Sequence, residues 1–305
     1  MAKIYIQIGQ SIRSDNNIYY KILEFLGNGA NAFAYRCLCT SGQNRGIEFV
    51  LKLQYNLSTE IRRKRFLREA AFLSTCNHPA ILTQFDYGTF VTSQESFPFI
   101  VTNFMPETLA VKIHTQISFD QKVKYSCQLL SAVAFLQKKN IIHRDIKPSN
   151  IFISNNNAVL GDFGLIKKIG TDSTDALSDD IDLVNATVLS KLNGYVAMAK
   201  YYRTPELVNY ANRVAPLYLE SDIFQLGLVL AELFTGKNPL LPAEDLHSPI
   251  ELNEIDYISA PHHGNIIRTT LMQMLNVNRE ERISIDLAID RFTGIYSVCR
   301  LPANR

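Results

Sequence analysis

The octapeptide HRDIKPSN at residues 143–150 and the tripeptide DFG at residues 162–164 decide the fold of this chain. DFG alone can arise by chance at average amino-acid usage. Both motifs at this separation cannot plausibly do so. Their conjunction is therefore a specific signal, and it lies near the middle of a chain of 305 residues.

The composition around these motifs is that of a folded globular protein. Hydrophobic residues make up 47% and charged residues 20% of the chain, which excludes collagen-like and mostly disordered classes. The formal net charge is only +2, so the chain lacks the basic balance of proteins held to nucleic acid by counterion release. This low net charge predicts no nucleic-acid partner. The length predicts about two domains, or one two-lobed enzyme.

The cysteine pattern and the apolar runs bear on the compartment. Five cysteines are scattered without a CxxC pair, which favours reduced thiols and a cytoplasmic protein. No run approaches 18 consecutive apolar residues, and the first ten residues lack a long apolar core. The sequence therefore predicts no signal peptide, no transmembrane span and no membrane partner.

The residues before position 104 have a mainly β pattern. Segments rich in aromatic and aliphatic residues, separated by Gly, Asn and Ser, predict an antiparallel meander of three strands, at Tyr20 to Leu26, Ala32 to Leu38 and Ile47 to Leu53. Alternation in the third strand places Val50 and Lys52 on one face, opposite an apolar row. A helix capped by Ser58 and ending near Thr75 follows, and Phe99 to Phe104 reads as a further strand.

The residues after this part have a mainly helical pattern. Ser118 and Gln121 form a capping box before a helix, and a long apolar helix from Asp222 to Phe234 ends at Gly236. The pattern predicts two parts, residues 1–103 and 104–305.

A glycine-rich turn lies between the first two predicted strands. Gly27 and Gly29 of LGNGANAFAY have no side chains, so backbone N–H groups there can approach a polyphosphate closely. A Rossmann turn needs a helix next, whereas AFAYRCL reads as a strand, so a β-hairpin is favoured. An ordinary tight turn is the alternative interpretation.

HRDIKPSN, DFG, FVLK at 49–52 and YYRTPEL at 201–207 together resemble the motif set of the eukaryotic-type protein kinases, over nearly the whole chain. The resemblance implies an α+β, bilobal fold. Its small lobe is an antiparallel β-sheet with one helix, and its large lobe is mainly α-helical. It also implies transfer of the γ-phosphate of ATP to a protein substrate, with Mg²⁺, or Mn²⁺ as a substitute.

The resemblance assigns roles to the residues of the two central motifs. Asp145 orients the substrate hydroxyl and accepts its proton, while Asn150 and Asp162 match the metal ligands and carry hard oxygens suited to Mg²⁺. Lys147 is the residue that serine/threonine kinases carry in this loop, which favours Ser and Thr as acceptors. A capped turn is the alternative interpretation of Asp145.

The resemblance also assigns a charged pair in the first part. Lys52 matches the lysine that contacts the α- and β-phosphates, and Glu69, in the following helix, matches its ion-pair partner. Swinging that helix would break the pair and offers an on/off control. A solvated helix face is the alternative interpretation of Glu69.

The predicted nucleotide site combines the glycine-rich turn with apolar and hinge positions. Thr102 takes the gatekeeper position, and the backbone from Asn103 to Met105 would hydrogen-bond adenine, unless the segment is a plain strand end. Val50 and Phe152 match the residues on the two sides of the adenine ring, although both fit a core as well. The full set is Leu26, Gly27, Asn28, Gly29, Ala34, Val50, Lys52, Thr102, Asn103, Met105 and Phe152.

Two structural anchors of the family are present, and four positions depart from its pattern. Glu206 is expected to pair with Arg282, and Asp222 to steady the catalytic loop, residues 143–150. Ala32 replaces the third glycine, Ala34 the residue that covers adenine, Ala199 the threonine that usually contacts the catalytic loop, and Thr204 the Ala of the APE motif. The lost methyl contacts predict weaker nucleotide binding, at about 0.8 kcal/mol per CH₂. A pseudokinase that acts as a nucleotide-binding or allosteric scaffold is therefore the alternative function.

The segment between DFG and Glu206 carries acidic residues next to Ser and Thr side chains, and solvated disorder is its default interpretation. A sharper hypothesis docks this acidic stretch, strengthened by phosphorylation, on the basic helix start from Arg62 to Arg68. Arg144 suggests phosphate sensing by the catalytic loop, and autophosphorylation is expected. The oligomeric state is left open by the sequence. The residues of the stretch are Asp172, Ser173, Thr174, Asp175, Ser178, Asp179, Asp180 and Asp182.

Overall fold

The structure is a computed structural model that describes residues 5–28, 32–55, 60–93, 95–170, 202–243, 247–260 and 263–299. Contacts divide the chain into two units. The first comprises Met1–His78 and Leu82–Met105, and the second comprises Pro79–Ile81 and Pro106–Arg305. This division lies two residues after the predicted boundary at Asn103. It also assigns residues 79–81 to the second unit, where the Ala80 carbonyl accepts a hydrogen bond from the Leu160 N–H at 2.9 Å.

The first unit is a six-stranded antiparallel sheet with one helix, α1 (Glu60–Thr75). The strands are β1 (Ser11–Arg13), β2 (Tyr19–Asn28), β3 (Ala32–Cys39), β4 (Glu48–Gln54), β5 (Gln84–Val91) and β6 (Ser96–Asn103). Their order in the sheet is β1-β2-β3-β4-β6-β5. The side chains of Glu60 and Ile61 are not described.

The predicted meander is confirmed as the β2-β3-β4 part of this sheet. Gly27 pairs with Ala34, and Ala34 pairs with Lys52, so the glycine-rich turn joins two neighbouring antiparallel strands rather than a strand and a helix. The predicted alternation of β4 is also confirmed, because Phe49, Leu51 and Leu53 are buried while Val50 and Lys52 are half-buried.

The two edges of the sheet approach each other through a buried polar contact that the sequence pattern did not indicate. Asp86 of β5 is buried and accepts hydrogen bonds from the Tyr20 hydroxyl at 2.9 Å and from Asn16 Nδ2 at 2.8 Å. Nearby, the Asp15 N–H donates to the Tyr87 carbonyl at 3.1 Å. The apolar face of the sheet, with Ile22, Leu51 and other buried residues, forms the core of this unit.

The second unit is mainly helical. The helices are α2 (Leu109–Lys112), α3 (Phe119–Lys138), α4 (Pro205–Ala211), α5 (Ser221–Thr235), α6 (Gly264–Met274) and α7 (Ile285–Cys299). The strands are β7 (Glu107–Thr108), β8 (Ile141–Ile142), β9 (Ile151–Ser154), β10 (Asn157–Leu160) and β11 (Lys167–Lys168). Helix α3 packs against α5 and α7. Three short strands form the sheet β10-β9-β7, and β11 pairs with β8.

The helix ends of this unit follow the sequence signals. The capping box at Ser118 and Gln121 is present at the start of α3, with N···O distances of 3.3 and 3.4 Å. Helix α5 ends at Gly236, which has a left-handed φ of 79° and whose N–H donates to the Glu232 carbonyl at 2.8 Å. Glycine adopts this conformation without the steric cost of a Cβ atom. The predicted cap Ser58 lies outside the described residues.

The predicted α+β fold class is confirmed, with an antiparallel sheet and one helix before a mainly helical part. Within the described ranges, no helix is long and apolar enough to cross a membrane.

Candidate active site

The structure brings Lys52 and Glu69 together in the first unit. The Nζ atom of Lys52, on β4, lies 2.8 and 2.7 Å from the two carboxylate oxygens of Glu69, on α1. The Glu69 side chain is 4% exposed and the Lys52 side chain 29%. Because a buried carboxylate is costly without a partner, the pair ties α1 to the sheet.

Four of the predicted nucleotide-binding residues share one face of the sheet. Ala34 pairs directly with Lys52, and Val50 pairs directly with Thr102. Directly opposed residues in an antiparallel pair point to the same face, and Val50 and Lys52 are two residues apart on β4. The sheet thus presents a cation and three small or medium side chains on a common surface.

The remaining predicted nucleotide residues lie in other elements or next to this face, where Gly27 pairs with Ala34. Leu26 is 43% exposed at the end of β2, where Gly27 and Asn28 complete the strand. Gly29 lies outside the described residues. Phe152 belongs to the second unit, on β9, and is half-buried.

The predicted hinge begins at a residue that is bonded to β5's preceding loop. The Asn103 N–H donates to the Thr83 carbonyl at 3.4 Å, and the Asn103 Oδ1 accepts a hydrogen bond from the Thr83 N–H at 3.1 Å. These contacts do not involve the Asn103 carbonyl. That the backbone from Asn103 to Met105 hydrogen-bonds adenine stays a prediction.

The second unit brings two of the predicted residues, Lys147 and Asn150, to the carboxylate of a third, Asp145. Lys147 Nζ lies 2.7 Å from each carboxylate oxygen of Asp145. Asn150 Nδ2 donates to the Asp145 carbonyl at 2.8 Å and to its Oδ2 at 2.9 Å. The Asp145 side chain is 16% exposed, so it is accessible although held on both sides.

Backbone contacts place the DFG segment beside this loop. The Gly161 N–H donates to the Asn150 carbonyl at 2.9 Å, and the Gly161 carbonyl lies 3.1 Å from His143 Nε2. The next residue, Asp162, has a left-handed backbone with φ 59° and ψ 69°. Such a conformation is unfavourable for a residue other than glycine, and the buried Phe163 ring packed on His143 helps to hold it.

Two side chains of helix α5 hydrogen-bond to the backbone of the catalytic loop. The buried Asp222 carboxylate accepts hydrogen bonds from the backbone N–H groups of His143 at 2.7 Å and Arg144 at 3.0 Å. Gln225 accepts from the Ile146 N–H at 3.0 Å and donates to the Arg144 carbonyl at 3.1 Å. The family resemblance predicted the role of Asp222, whereas the role of Gln225 was not predicted. Its position three residues further on the same helix face was the available signal.

Burial shifts the pKa values of His143 and Asp222 in opposite directions. Burial lowers the pKa of His143 to about 4, and the contacts fit a neutral ring. Its Nε2 faces the Gly161 carbonyl, and its Nδ1 accepts from the Asp145 N–H at 3.3 Å, so a second ring proton would meet a donor. Burial raises the pKa of Asp222 to about 7, against the two N–H donors that favour its charged form.

Because His143 is neutral in the folded protein, it should make stability depend on pH. Between pH 6.5, its ordinary pKa, and about pH 4, the unfolded chain takes up a proton that the folded chain does not. We expect the free energy of unfolding of the wild type, relative to His143→Gln, to fall by about 1.4 kcal/mol per pH unit as the pH is lowered through this range.

Urea unfolding of both proteins at several pH values measures this difference. The raised pKa of Asp222 acts in the opposite sense, since it lowers stability as the pH rises, so the wild type alone does not isolate the histidine. A difference that stays constant between pH 6.5 and 4 would contradict a buried neutral ring.

The predicted anchor pair Glu206 and Arg282 is present. Arg282 Nη2 lies 2.8 Å from Glu206 Oε1, and both side chains are buried. Arg282 Nη1 also donates to the Glu220 carbonyl at 2.7 Å. Thr204, which stands where the family pattern has Ala, caps α4 by accepting from the Leu207 N–H, and its Oγ1 lies 2.7 Å from Ser221 Oγ. The hydroxyl of Thr204 thus makes two contacts that an alanine at this position could not make.

Several predictions concern the segment between DFG and Glu206, and most of this segment is outside the structural description. Residues 171–201 lie outside the described part of the chain, and with them the acidic stretch, its Ser and Thr residues and Ala199. Arg144 is buried with a left-handed φ of 69°, and its guanidinium contacts the carbonyls of Leu165 and Ile166. Phosphate sensing by Arg144 and docking on Arg62–Arg68 stay predictions.

Comparison with known proteins agrees with this geometry. Residues 20–291 match the family described as the protein kinase domain. The chain belongs to the protein kinase family. Lys147 and Asn150 contact Asp145, and Lys52 contacts Glu69, while the catalytic roles that the resemblance implies for these residues stay predictions.

Three relatives illustrate the range of similarity. A probable serine/threonine-protein kinase of Dictyostelium discoideum is 31% identical over 237 residues, 76% of this chain and 13% of that protein. A sporulation-specific mitogen-activated protein kinase of Saccharomyces cerevisiae is 26% identical over 269 residues, 86% of this chain and 65% of that protein. The serine/threonine-protein kinase PknB of Mycolicibacterium smegmatis is 34% identical over 181 residues, 58% of this chain and 26% of that protein. The chain thus spans less than two thirds of the length of each.

Proposed function

We propose that this protein kinase transfers the γ-phosphate of ATP to serine and threonine hydroxyls of proteins, its own included, in the presence of Mg²⁺. The observation that carries the proposal is the setting of Asp145. Its carboxylate is held by Lys147 and Asn150. The Asn150 carbonyl in turn accepts a hydrogen bond from the N–H of Gly161, the residue directly before Asp162. A scaffold without chemistry has no need of this arrangement.

The carboxylate of Asp145 has room for one further donor. An ionised carboxylate offers about four lone-pair sites. From the part of the chain that the structure covers, Lys147 and Asn150 direct two N–H donors to Oδ2 and one to Oδ1. The remaining site on Oδ1 suits a substrate hydroxyl, which Asp145 would orient and from which it would accept the proton as general base.

Asn150 and Asp162 would hold Mg²⁺, and their chemistry fits the ion. Asn150 directs its Nδ2 to Asp145, so its oxygen is the amide atom left for a cation. Among the residues that the structure describes, no group of three or more His, Cys, Asp and Glu side chains forms a metal cage. This agrees with the preference of Mg²⁺ for few carboxylates, water and substrate phosphates. When bound, the ion offsets negative charge on the phosphate oxygens.

Serine and threonine are proposed as acceptors because of Lys147 and because of the relatives. Lys147 contacts Asp145, as expected for the serine/threonine pattern, and two of the three relatives carry that activity in their names.

The proposed cytoplasmic location rests on the cysteine pattern. It is supported by Cys37, Cys39, Cys127 and Cys299, whose thiols form no disulfide.

Phosphate transfer from γ-labelled ATP tests the proposal. The purified chain is incubated with a mixture of Ser, Thr and Tyr peptides, with Mg²⁺, with Mn²⁺ or with EDTA, and the labelled amino acids are identified. We expect labelled phosphoserine and phosphothreonine with either ion and none with EDTA.

Other outcomes separate the alternatives. No transfer, together with a rise in melting temperature on addition of MgATP, would support the pseudokinase. Label in phosphotyrosine alone would overturn the assignment of the acceptor.

A further inference from the structure

An aromatic cluster lies at the turn end of the glycine-rich hairpin formed by β2 and β3, and its first member precedes the sheet. The cluster consists of Tyr5, Phe25, Phe33 and Tyr55. Phe33, on β3, is stacked between two tyrosines, with ring centroids 5.1 Å from Tyr5 and 4.0 Å from Tyr55. Phe25, on β2, meets Tyr5 edge to face at 6.0 Å and Phe33 at 5.8 Å. The cluster thus joins both strands of the hairpin to the residue after β4.

Tyr5 is held in the cluster by the N-terminal arm, which we define as residues 5–13. Ile6 is only 3% exposed, and its N–H donates to the Tyr35 hydroxyl at 3.2 Å. The Gly9 N–H donates to the Ile22 carbonyl at 2.8 Å, and β1 then pairs with β2. The arm is therefore bonded along β2 on its way to the cluster.

The backbone ladder of the hairpin is irregular where the cluster lies. The β2-β3 register shifts between Ile22 and Glu24 and again between Phe25 and Gly27. Gly27 has a φ of 146°, a conformation that side-chain-bearing residues rarely adopt. Interrupted pairing leaves fewer regular hydrogen bonds near the glycines. Side-chain packing therefore contributes more to the position of this end of the hairpin.

We propose that the N-terminal arm, through Tyr5, positions the glycine-rich hairpin for nucleotide binding. The inference rests on the proposed function, since it assumes that the hairpin covers ATP. Tyr5 is a positioning residue in this account, acting through Phe25 and Phe33 on the strands that end at the glycines. Loss of its ring should loosen the hairpin and weaken ATP binding, while the proton transfer at Asp145 is unaffected.

Substitutions of Tyr5 test this inference, with Tyr19 as a matched control. Tyr19 is a tyrosine at the other end of β2 and is 44% exposed, close to the 50% of Tyr5, but it is not a member of the cluster. Tyr5→Ala removes the ring, and Tyr5→Phe retains it. If Tyr5→Ala fails to fold, Tyr5→Leu provides the same test with more of the apolar contact kept.

Two measurements are made on the full chain. Amide hydrogen exchange without nucleotide reports on residues 25–28 and 33–35, and initial rates separate KM for ATP from kcat. We expect Tyr5→Ala to speed exchange in these segments and to raise KM for ATP about threefold to tenfold, with kcat within about twofold of the wild type. Tyr5→Phe should restore both values, and Tyr19→Ala should change neither.

The outcomes that overturn the inference are distinct from failure of the proposed function. Exchange in Tyr5→Ala that equals that of Tyr19→Ala overturns it, as does faster exchange with an unchanged KM, or a fall in kcat alone. If the wild type transfers no phosphate, the proposed function fails. In that case, calorimetry on the same variants measures the dissociation constant of MgATP in place of KM. A dissociation constant that is equal in Tyr5→Ala and the wild type overturns the inference, and so does a wild type that binds no MgATP.

Discussion

Asp145→Asn is expected to lower kcat for phosphate transfer by about 10²-fold to 10⁴-fold, the usual contribution of a positioned general base. The amide has nearly the shape of the carboxylate but cannot accept the substrate proton at neutral pH. It also presents an N–H group to Lys147 or Asn150, both of which donate to the present carboxylate. KM for ATP should change little, because Asp145 is not among the predicted nucleotide-binding residues.

Initial rates with labelled ATP measure this effect. Asp256→Asn is the matched control, since Asp256 pairs with Lys237 at an exposed position and should leave kcat within about twofold. An Asp145→Asn protein that keeps more than about one tenth of the wild-type kcat would contradict the role of general base.

Asp222→Ala is expected to lower the free energy of unfolding by about 2 to 5 kcal/mol. The substitution leaves the buried N–H groups of His143 and Arg144 without their acceptor, and each such loss costs about 1 to 3 kcal/mol. Because these residues precede Asp145 directly, kcat should fall together with stability.

Chemical unfolding monitored by circular dichroism gives the change in stability. Asp222→Asn retains one oxygen acceptor and should lose less than the alanine variant, while Asp290→Ala, at an exposed position of α7, should stay within about 0.5 kcal/mol. Equal stability of Asp222→Ala and the wild type would show that the loop holds itself without α5.

Several parts of the fold and the site could be predicted because their signals are local. The alternation in β4 placed Lys52 opposite an apolar row, and the capping box marked the start of α3. The pairing of Lys52 with Glu69 came from the family resemblance, and the ion pair forms as expected. In each case the prediction needed only residues a few positions apart or a motif of known spacing.

Other parts could not be predicted because they depend on contacts between distant segments. Strands β1 and β5 were missed, and with them the buried Asp86, whose partner Tyr20 is 66 residues away. Gln225 bonds to the catalytic loop across 79 residues. The N-terminal arm reads as an ordinary polar and apolar mixture, and only the fold places Tyr5 on Phe33.

The amino-acid sequence by itself determined that this chain belongs to the protein kinase family, since HRDIKPSN, DFG and FVLK are motifs whose residue types and spacing are read along the chain. Only the tertiary structure decided which groups touch Asp145, that Asn103 gives its N–H to Thr83, and that Gln225 supports the loop. The physical reason is that hydrogen bonds and ring contacts act over a few ångströms in space. Residues separated by tens of positions therefore acquire partners only when the chain has folded.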